Sequence, residues 1–256
     1  MPSIRLTRSA SVATVTLDRS RTLNSITREL LVELTDAYTQ LSDDGEIAVI
    51  VLEGAGRAFC SGADLDNPPG LAPAGSSPEV RRDVARYGER AVRAVREARP
   101  VTVARIHGHA IGGGALLAVA NDIRIAERNT RFRVPEVTLG LPLTWGGTPL
   151  LIEELGAAVA RELVLFGTEV SGQEAARLGL VHVVADGLDA LDTEVSNRVA
   201  HLAGLRREVV AVTKRQFRLA RSGPHSEEHL AADATDYASL ISADWSPRTS
   251  ADPRHR

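Results

Sequence analysis

The pattern of apolar and polar positions at the start of the chain predicts a strand, a helix and a second strand. Residues 12–17 mix β-branched and apolar side chains over a short span, which is typical of a strand. Apolar residues then recur at helical spacing over residues 30–41, and we expect Asn24 or Ser25 to cap this helix. Residues 47–52 form a continuous β-branched run, as in a strand covered on both faces. This order predicts a βαβ unit.

The middle of the chain alternates apolar runs with segments rich in glycine and proline. Residues 67–78 are rich in Pro, Gly, Ala and Ser, and we expect a mobile loop there. The elements predicted beyond it are a helix over residues 80–98, a buried strand over 101–106, a short buried helix over 115–120 and a strand over 123–126.

Helical patterns dominate from residue 148 onward. The predicted helices cover residues 150–155, 158–166, 172–178, 188–202, 207–221 and 227–241. The layout is therefore a βα core followed by a helical carboxyl-terminal region.

Composition narrows the classes of protein to consider. Of 256 residues, 43% are hydrophobic and 25% are charged, which excludes a disordered or fibrous chain. Cys60 is the only cysteine, so neither an internal disulfide nor a cysteine-cluster metal site is possible. A net charge of −3 gives no reason to expect nucleic acid or an acidic membrane as partner. With no signal-peptide core and no long apolar run, we expect a soluble, cytoplasmic protein.

Two glycine-bearing turns are candidates for chemistry, at residues 59–64 and 111–114. Each follows a buried strand, and the second leads into a buried helix, where the first N–H groups have no intrahelical partner. Together they could direct two N–H donors at a developing oxyanion; alternatively, both are tight turns packed for steric reasons. The second turn lacks the lysine of a phosphate loop and the spacing of a dinucleotide fingerprint, so nucleotide binding there is not favoured.

The residues around these turns resemble the crotonase (enoyl-CoA hydratase/isomerase) family. Residues 57–65, RAFCSGADL, are similar to the family's oxyanion signature. Further similar segments follow in order and at the family's usual separations, at residues 110–118, 121–126, 132–140, 146–148 and 175–181. Because several linked motifs agree, the resemblance favours the functional interpretation of both turns.

The resemblance implies an α/β fold, a crotonase-like spiral core of ββα repeats with a helical carboxyl-terminal region. Residues 1–195 would form the catalytic core that binds acyl-CoA. Residues 196–256 would serve in trimerisation, giving a homotrimer or homohexamer, with a disordered tail. No metal and no permanently bound cofactor is implied, since the substrate is carried as a CoA thioester.

The resemblance also assigns roles to individual residues. The N–H groups of Ala63 and Gly113 would hold the thioester carbonyl and stabilise an enolate. Arg21, Leu23 and Ser25 fall where the family holds the CoA nucleotide. The other positions implied to line the substrate are Ser61, Asp64, Leu65, His109, Gly112, Pro135 and Thr144.

Departures from the family pattern bear on the reaction. The family's hydratases handle water with two glutamates; Leu116 stands at the position of the first, and Glu136 matches the second. Thr144, followed by bulky Trp145, replaces a glycine near the water site. Losing one acid/base group commonly costs about 10²–10⁴ in rate. The resemblance therefore favours double-bond isomerisation with Glu136 as the base, with a weak hydratase or a silent acyl-CoA-binding protein as alternatives.

Some residues carry weaker alternatives. His107 and His109 could act as acid/base groups, although hydrogen-bonded packing is favoured, and Cys60 is interpreted as packing rather than as a nucleophile. A comb of arginines could bind RNA, but interspersed acids and the lack of stacking aromatics favour a solvated helix face. These arginines are Arg81, Arg82, Arg86, Arg90, Arg93, Arg96 and Arg99. Residues 243–256 lack the family's usual ending.

Overall fold

A computed structural model describes residues 2–220 and places them in two compact units, Met1–Gly204 and Leu205–Arg256. The predicted boundary at residue 195 falls inside the helix Leu188–Ala203, whose buried Leu191 and Val195 pack with residues of the sheet. The division therefore comes after this helix. The predicted helix over residues 227–241 and the predicted disordered tail lie outside the described residues.

The strands and helices follow one another along the described chain with short connections. The strands are β1 Ile4–Ser9, β2 Val12–Leu17, β3 Val49–Gly54, β4 Val101–Ile106, β5 His109–Ile111, β6 Ile123–Glu127, β7 Arg131–Arg133, β8 Val170–Ser171 and β9 Val183–Ala185. The helices are α1 Arg28–Asp43, α2 Pro78–Ala85, α3 Tyr87–Glu97, α4 Gly113–Val119, α5 Gly147–Phe166, α6 Gly172–Arg177, α7 Leu188–Ala203 and α8 Arg207–Ala220. Two 3₁₀ turns cover Ser20–Thr22 and Glu136–Leu139.

The first unit is built on a six-stranded sheet in the order β1-β2-β3-β4-β6-β9. β1 and β2 form an antiparallel hairpin, and every later neighbour pairs in parallel. The predicted βαβ unit is confirmed as β2–α1–β3. A smaller sheet, β5-β7-β8, lies apart from the large one. It carries β5 immediately before the second glycine-bearing turn.

Both faces of the large sheet are covered, which explains the continuous apolar run of β3. The larger core cluster joins β2 and β3 to α1, through residues such as Leu30, Leu34 and the fully buried Tyr38. The smaller cluster joins Val49, Val103 and other strand residues to α7. A strand with apolar neighbours on both sides needs no alternation of polar residues.

Several predicted boundaries were wrong for local reasons. Thr27, not Asn24 or Ser25, caps α1, since its side chain accepts a hydrogen bond from the N–H of Leu30. The single helix predicted over residues 80–98 is two helices, α2 and α3, that meet at Arg86. The described residues contain no helix that is both long enough and apolar enough to cross a membrane.

Candidate active site

The two glycine-bearing turns lie side by side. Cys60 and Ala110 form a parallel bridge, in which the N–H of Cys60 donates to the carbonyl of His109 at 2.8 Å and the N–H of Ile111 donates to Cys60 at 3.0 Å. A Cβ atom on Gly114 would lie 2.7 Å from that of Cys60, so only glycine permits this approach. The structure therefore brings together the two segments that the sequence singled out.

The N–H group of Ala63 is directed away from its neighbouring segment. Ile26 bridges to Ala63, donating to the carbonyl of Gly62 at 2.8 Å and accepting from the N–H of Asp64 at 2.9 Å. Successive N–H groups of an extended segment point to opposite sides, so the N–H between these two bonds faces the other way. Within residues 2–220 it donates to no backbone carbonyl.

The N–H group of Gly113 stands at the start of α4. Gly112 precedes the helix with φ 52° and ψ −122°, a conformation that side chains disfavour, and its own N–H donates to the carbonyl of Arg133 at 2.8 Å. No side chain caps this helix. As a first-turn donor, the N–H of Gly113 has no intrahelical acceptor and is left for a ligand.

The carboxyl group of Glu136 lies against the same turn. It opens the 3₁₀ turn Glu136–Leu139, and a Cβ atom built on Gly112 would lie 2.6 Å from its Oε1. Its Oε2 is buried and has no hydrogen-bond partner among the described residues. Burial raises the pKa of Glu136, against a smaller opposite effect of a backbone hydrogen bond. An unpartnered carboxylate thus sits one residue away from an unpartnered N–H.

Apolar side chains occupy the neighbouring space. Leu116, one helical turn beyond Gly113, is 1% exposed, and its Cδ1 would lie 2.8 Å from a Cβ atom on Gly147. The indole ring of Trp145 lies against Gly113 on one side and Gly88 of α3 on the other. Within the described chain, Glu136 is therefore the carboxylate at this turn, and Leu116 adds no polar group.

Ser25 and Asp64, predicted to contact CoA, contact each other. The hydroxyl of Ser25 donates to Asp64 Oδ2 at 2.9 Å, and Arg19 Nη2 donates to the same oxygen at 3.1 Å. Burial by itself would raise the pKa of Asp64, but these two hydrogen bonds and one from the Asn67 N–H hold it below its usual value. The sequence interpretation missed Arg19, because no motif marks it and only tertiary contact pairs it with residue 64.

The other residues predicted to hold CoA lie around the same loop. Ser61 donates its N–H to the carbonyl of Leu23 at 3.0 Å and its hydroxyl to that of Thr22 at 3.2 Å. Arg21 is exposed in the turn Ser20–Thr22, and Leu65 is 82% exposed. The structure therefore places all four near one surface loop, and their roles toward CoA stay predictions.

The remaining predicted positions lie on both sides of the second turn. His109 is half-buried in β5, just before it. Pro135 is half-buried and accepts hydrogen bonds at its carbonyl from the Thr138 hydroxyl at 2.7 Å and the Leu139 N–H at 3.1 Å. Thr144 is exposed, beside the partly buried Trp145. Among these, Pro135 shapes the backbone that aims Glu136.

His107 and Cys60 are packing residues in this structure. The Nε2 of His107 lies 2.9 Å from the carbonyl oxygen of Gly56, and its Nδ1 lies 3.1 Å from Arg105 Nη1. The thiol of Cys60 is buried and donates to the carbonyl of Asn24 at 3.1 Å. Burial raises the pKa of Cys60 to about 12, so a nucleophilic thiolate is not favoured.

The arginine comb of α2 and α3 is largely neutralised by acids. Arg82 pairs with Glu79 at 3.4 Å and Arg86 with Glu89 at 3.2 Å. Three more arginines form ion pairs: Arg90 with Asp83, Arg93 with Glu97 and Arg96 with Glu153. Such exposed pairs contribute about 0–1 kcal/mol each. They agree with the interpretation of a solvated face rather than an RNA-binding stripe.

Comparison with known proteins decides the family. The sequence model described as enoyl-CoA hydratase/isomerase matches residues 7–249. The chain belongs to the enoyl-CoA hydratase/isomerase family. The resemblance predicted from the motifs is confirmed, and so is the α/β, crotonase-like fold.

Relatives within this family differ in the reaction that their names give. The chain is 30% identical to the short-chain-enoyl-CoA hydratase of Clostridium acetobutylicum, over 77% of this chain and 75% of that one. It is 35% identical to the 1,2-epoxyphenylacetyl-CoA isomerase of Escherichia coli K12, over 75% and 72%. The crystal structure of enoyl-CoA hydratase of Mycobacterium smegmatis superposes with a TM-score of 0.85 at 28% identity, covering 95% and 93%. Membership therefore leaves the choice of reaction to the site residues.

Proposed function

We propose that this member of the enoyl-CoA hydratase/isomerase family binds an acyl-CoA thioester and shifts the double bond of its enoyl group. The observation that supports this most directly is the buried, unpartnered Oε2 of Glu136 beside the Gly112–Gly113 turn. A carboxylate held there can take and return one proton. The matching family motifs, RAFCSGADL above all, support the thioester as substrate.

The two unpartnered N–H groups supply the electrostatic part of the mechanism. The N–H groups of Ala63 and Gly113 donate to the thioester oxygen. Removing a proton from C2 of a 3-enoyl group moves negative charge onto that oxygen, forming a dienolate. Each preorganised donor is worth about 3–4 kcal/mol at such a charge in a water-poor site. Both donors therefore lower the barrier of the proton transfer.

Glu136 supplies the chemical part. Its carboxylate takes the C2 proton, becomes a carboxylic acid and returns the proton to C4, so the double bond moves from C3 to C2. The cycle consumes no water and ends with Glu136 ionised. Burial that raises the pKa of Glu136 makes it a stronger base for this task. One carboxylate is sufficient for both steps.

The residues beside Glu136 disfavour hydration. Adding water across C2 and C3 needs one group to activate water and another to deliver a proton to carbon. Leu116 can do neither, and it is packed against Gly147 with 1% exposure. We expect hydration to be slower than isomerisation by about 10²-fold or more, the usual cost of a missing acid/base group.

Glu136→Gln tests the base. The amide keeps the shape of the side chain but cannot accept the proton, so isomerisation should fall about 10²–10⁴-fold. The measurement is conversion of 3-enoyl-CoA to 2-enoyl-CoA, with water addition to 2-enoyl-CoA followed separately. Glu162→Gln, exposed on α5, is the matched control and should retain full activity.

Three outcomes would overturn parts of this proposal. Efficient hydration by the wild-type chain would contradict the argument from Leu116. Tight acyl-CoA binding with no turnover would favour a silent binding protein instead. Isomerisation that survives Glu136→Gln would show that another group is the base.

A further inference from the structure

The indole of Trp145 occupies a narrow slot beside the site. A Cβ atom on Gly113 would lie 2.2 Å from its Cζ3 and 2.6 Å from its Cη2. On the opposite side, a Cβ atom on Gly88 would lie 1.9 Å from its Cε2 and 2.2 Å from its Nε1. The ring is therefore held between the backbones of α3 and α4, with no room for even a methyl group on either glycine.

Gly88 is explained by this ring. Glycine near the start of a helix sacrifices chain entropy relative to alanine, so some other effect must favour it. Gly88 is buried, and its φ lies outside the left-handed region, so backbone conformation does not require glycine. The indole is what the missing side chain accommodates. Gly88 and Trp145 thus form one packing unit across two elements.

The backbone of Trp145 is strained. Its φ is 58°, in the left-handed region that bulky side chains rarely adopt, and Gly146 follows with φ 71°. Strain of this kind persists where the surroundings hold the residue in place, and it clusters at functional sites. The loop therefore places this ring, at a cost, against the turn that carries the Gly113 N–H.

We propose that Trp145, held by Gly88, is a specificity residue that admits only acyl groups unbranched at C2 and C3. This inference rests on the proposed binding of an acyl thioester at Ala63 and Gly113. A carbonyl oxygen that accepts from the Gly113 N–H lies about 3 Å from that nitrogen. Its C2 and C3 atoms then pass beside the indole, where a flat, conjugated chain fits and a methyl branch collides with the ring.

Binding of unreactive acyl thioesters tests the inference without depending on catalysis. Butanoyl-CoA and 3-methylbutanoyl-CoA differ by one methyl group, and calorimetry gives the dissociation constant of each. The wild-type chain should bind the branched ligand about 10-fold or more weakly, because a steric conflict of one methyl group commonly costs about that much. Trp145→Ala should reduce the ratio to near one.

Gly88→Ala provides a second variant that leaves Trp145 in place. The added methyl group displaces the ring and should change the same ratio, while it should have no effect on the ratio in the Trp145→Ala background. Gly45→Ala is the matched control, since no atom lies within 4 Å of its Cβ position. Unfolding curves of each variant separate a loss of folding from a change in selectivity.

The outcomes distinguish the two proposals. If the wild-type chain binds neither ligand, the proposed acyl-CoA function fails. If it binds both ligands and the ratio is the same in wild type and Trp145→Ala, the function stands and the role of Trp145 is wrong.

Fluorescence gives an independent readout. The chain has two tryptophans, Trp145 and Trp245, so Trp245→Phe leaves the site ring as the only emitter. Saturating butanoyl-CoA should shift or quench its emission, since the ligand replaces solvent on the ring. Unchanged emission at proven saturation would contradict contact between the ring and the acyl group.

Discussion

At the scale of single residues, Glu136 combines two unfavourable features. Its carboxyl group is largely buried, and its Oε2 has no hydrogen-bond partner within the described part of the chain. A buried polar atom without a partner costs about 1–3 kcal/mol. Proteins retain such groups where function needs them, which is why this residue, rather than the well-bonded His107, is the candidate base.

The pH dependence of isomerisation should report Glu136. Burial raises its pKa above the ordinary value of 4.5, and only the ionised form accepts a proton. The rate should therefore fall as the pH drops through a value above 4.5. The measurement is kcat/KM for 3-enoyl-CoA against pH. A limb at or below 4.5 would contradict a buried base, because a solvated carboxylate titrates there.

At the scale of elements, α5 shows how one residue divides a helix. Gly156 has φ 77° and ψ 157°, a conformation essentially restricted to glycine, in the middle of the run Gly147–Phe166. The sequence predicted two helices, over residues 150–155 and 158–166, and the break lies between them. The first half carries Leu150 and Leu151 into the core that supports Leu116.

Gly156→Ala should destabilise the protein by about 1–3 kcal/mol, the cost of placing a side chain in this region of backbone conformation. Open space surrounds the Cβ position, so strain rather than collision is the cause. Gly45→Ala has equally open surroundings without a positive φ, and should change stability by no more than about 0.5 kcal/mol. Urea unfolding of both variants checks the difference; equal midpoints would refute the strain.

At the scale of the whole molecule, buried groups connect folding to pH. Burial lowers the pKa of His107, and the nearby Arg105 guanidinium acts in the same direction, against the hydrogen bond with Gly56. Arg105 can only donate, so Nδ1 accepts and Nε2 carries the proton that faces the Gly56 carbonyl. A second proton would place two donors against each other. The native chain therefore keeps this imidazole neutral.

The free energy of unfolding should fall as the pH drops below 6.5. The unfolded chain takes up the His107 proton there, whereas the native chain resists it, so protonation favours unfolding. His107→Gln should lose part of this dependence, and His201→Gln, exposed on α7, is the control. Urea unfolding at about pH 7.5 and about pH 5.5 measures it. Equal pH dependence in the wild-type chain and His107→Gln would exclude His107 as the cause.

The long elements could be predicted because their apolar periodicity is a local property. β2, α1, β3 and β4 agree with their predicted positions to within a few residues. β5, β7, β8 and β9 have two or three residues each and were not predicted, since so short a run shows no periodicity. Likewise, the helix over residues 80–98 has a continuous pattern, and its break at Arg86 leaves no local signal.

The sequence by itself determined the family, the two glycine-bearing turns and the presence of Glu136 with Leu116, because these are fixed residue types in fixed order. Only the tertiary structure decided which groups meet: Arg19 with Asp64, and Trp145 with Gly88 and Gly113. The physical reason is that such contacts join residues far apart in the chain. Their positions depend on how α3, α4 and the loop before α5 pack, and no local pattern encodes that packing.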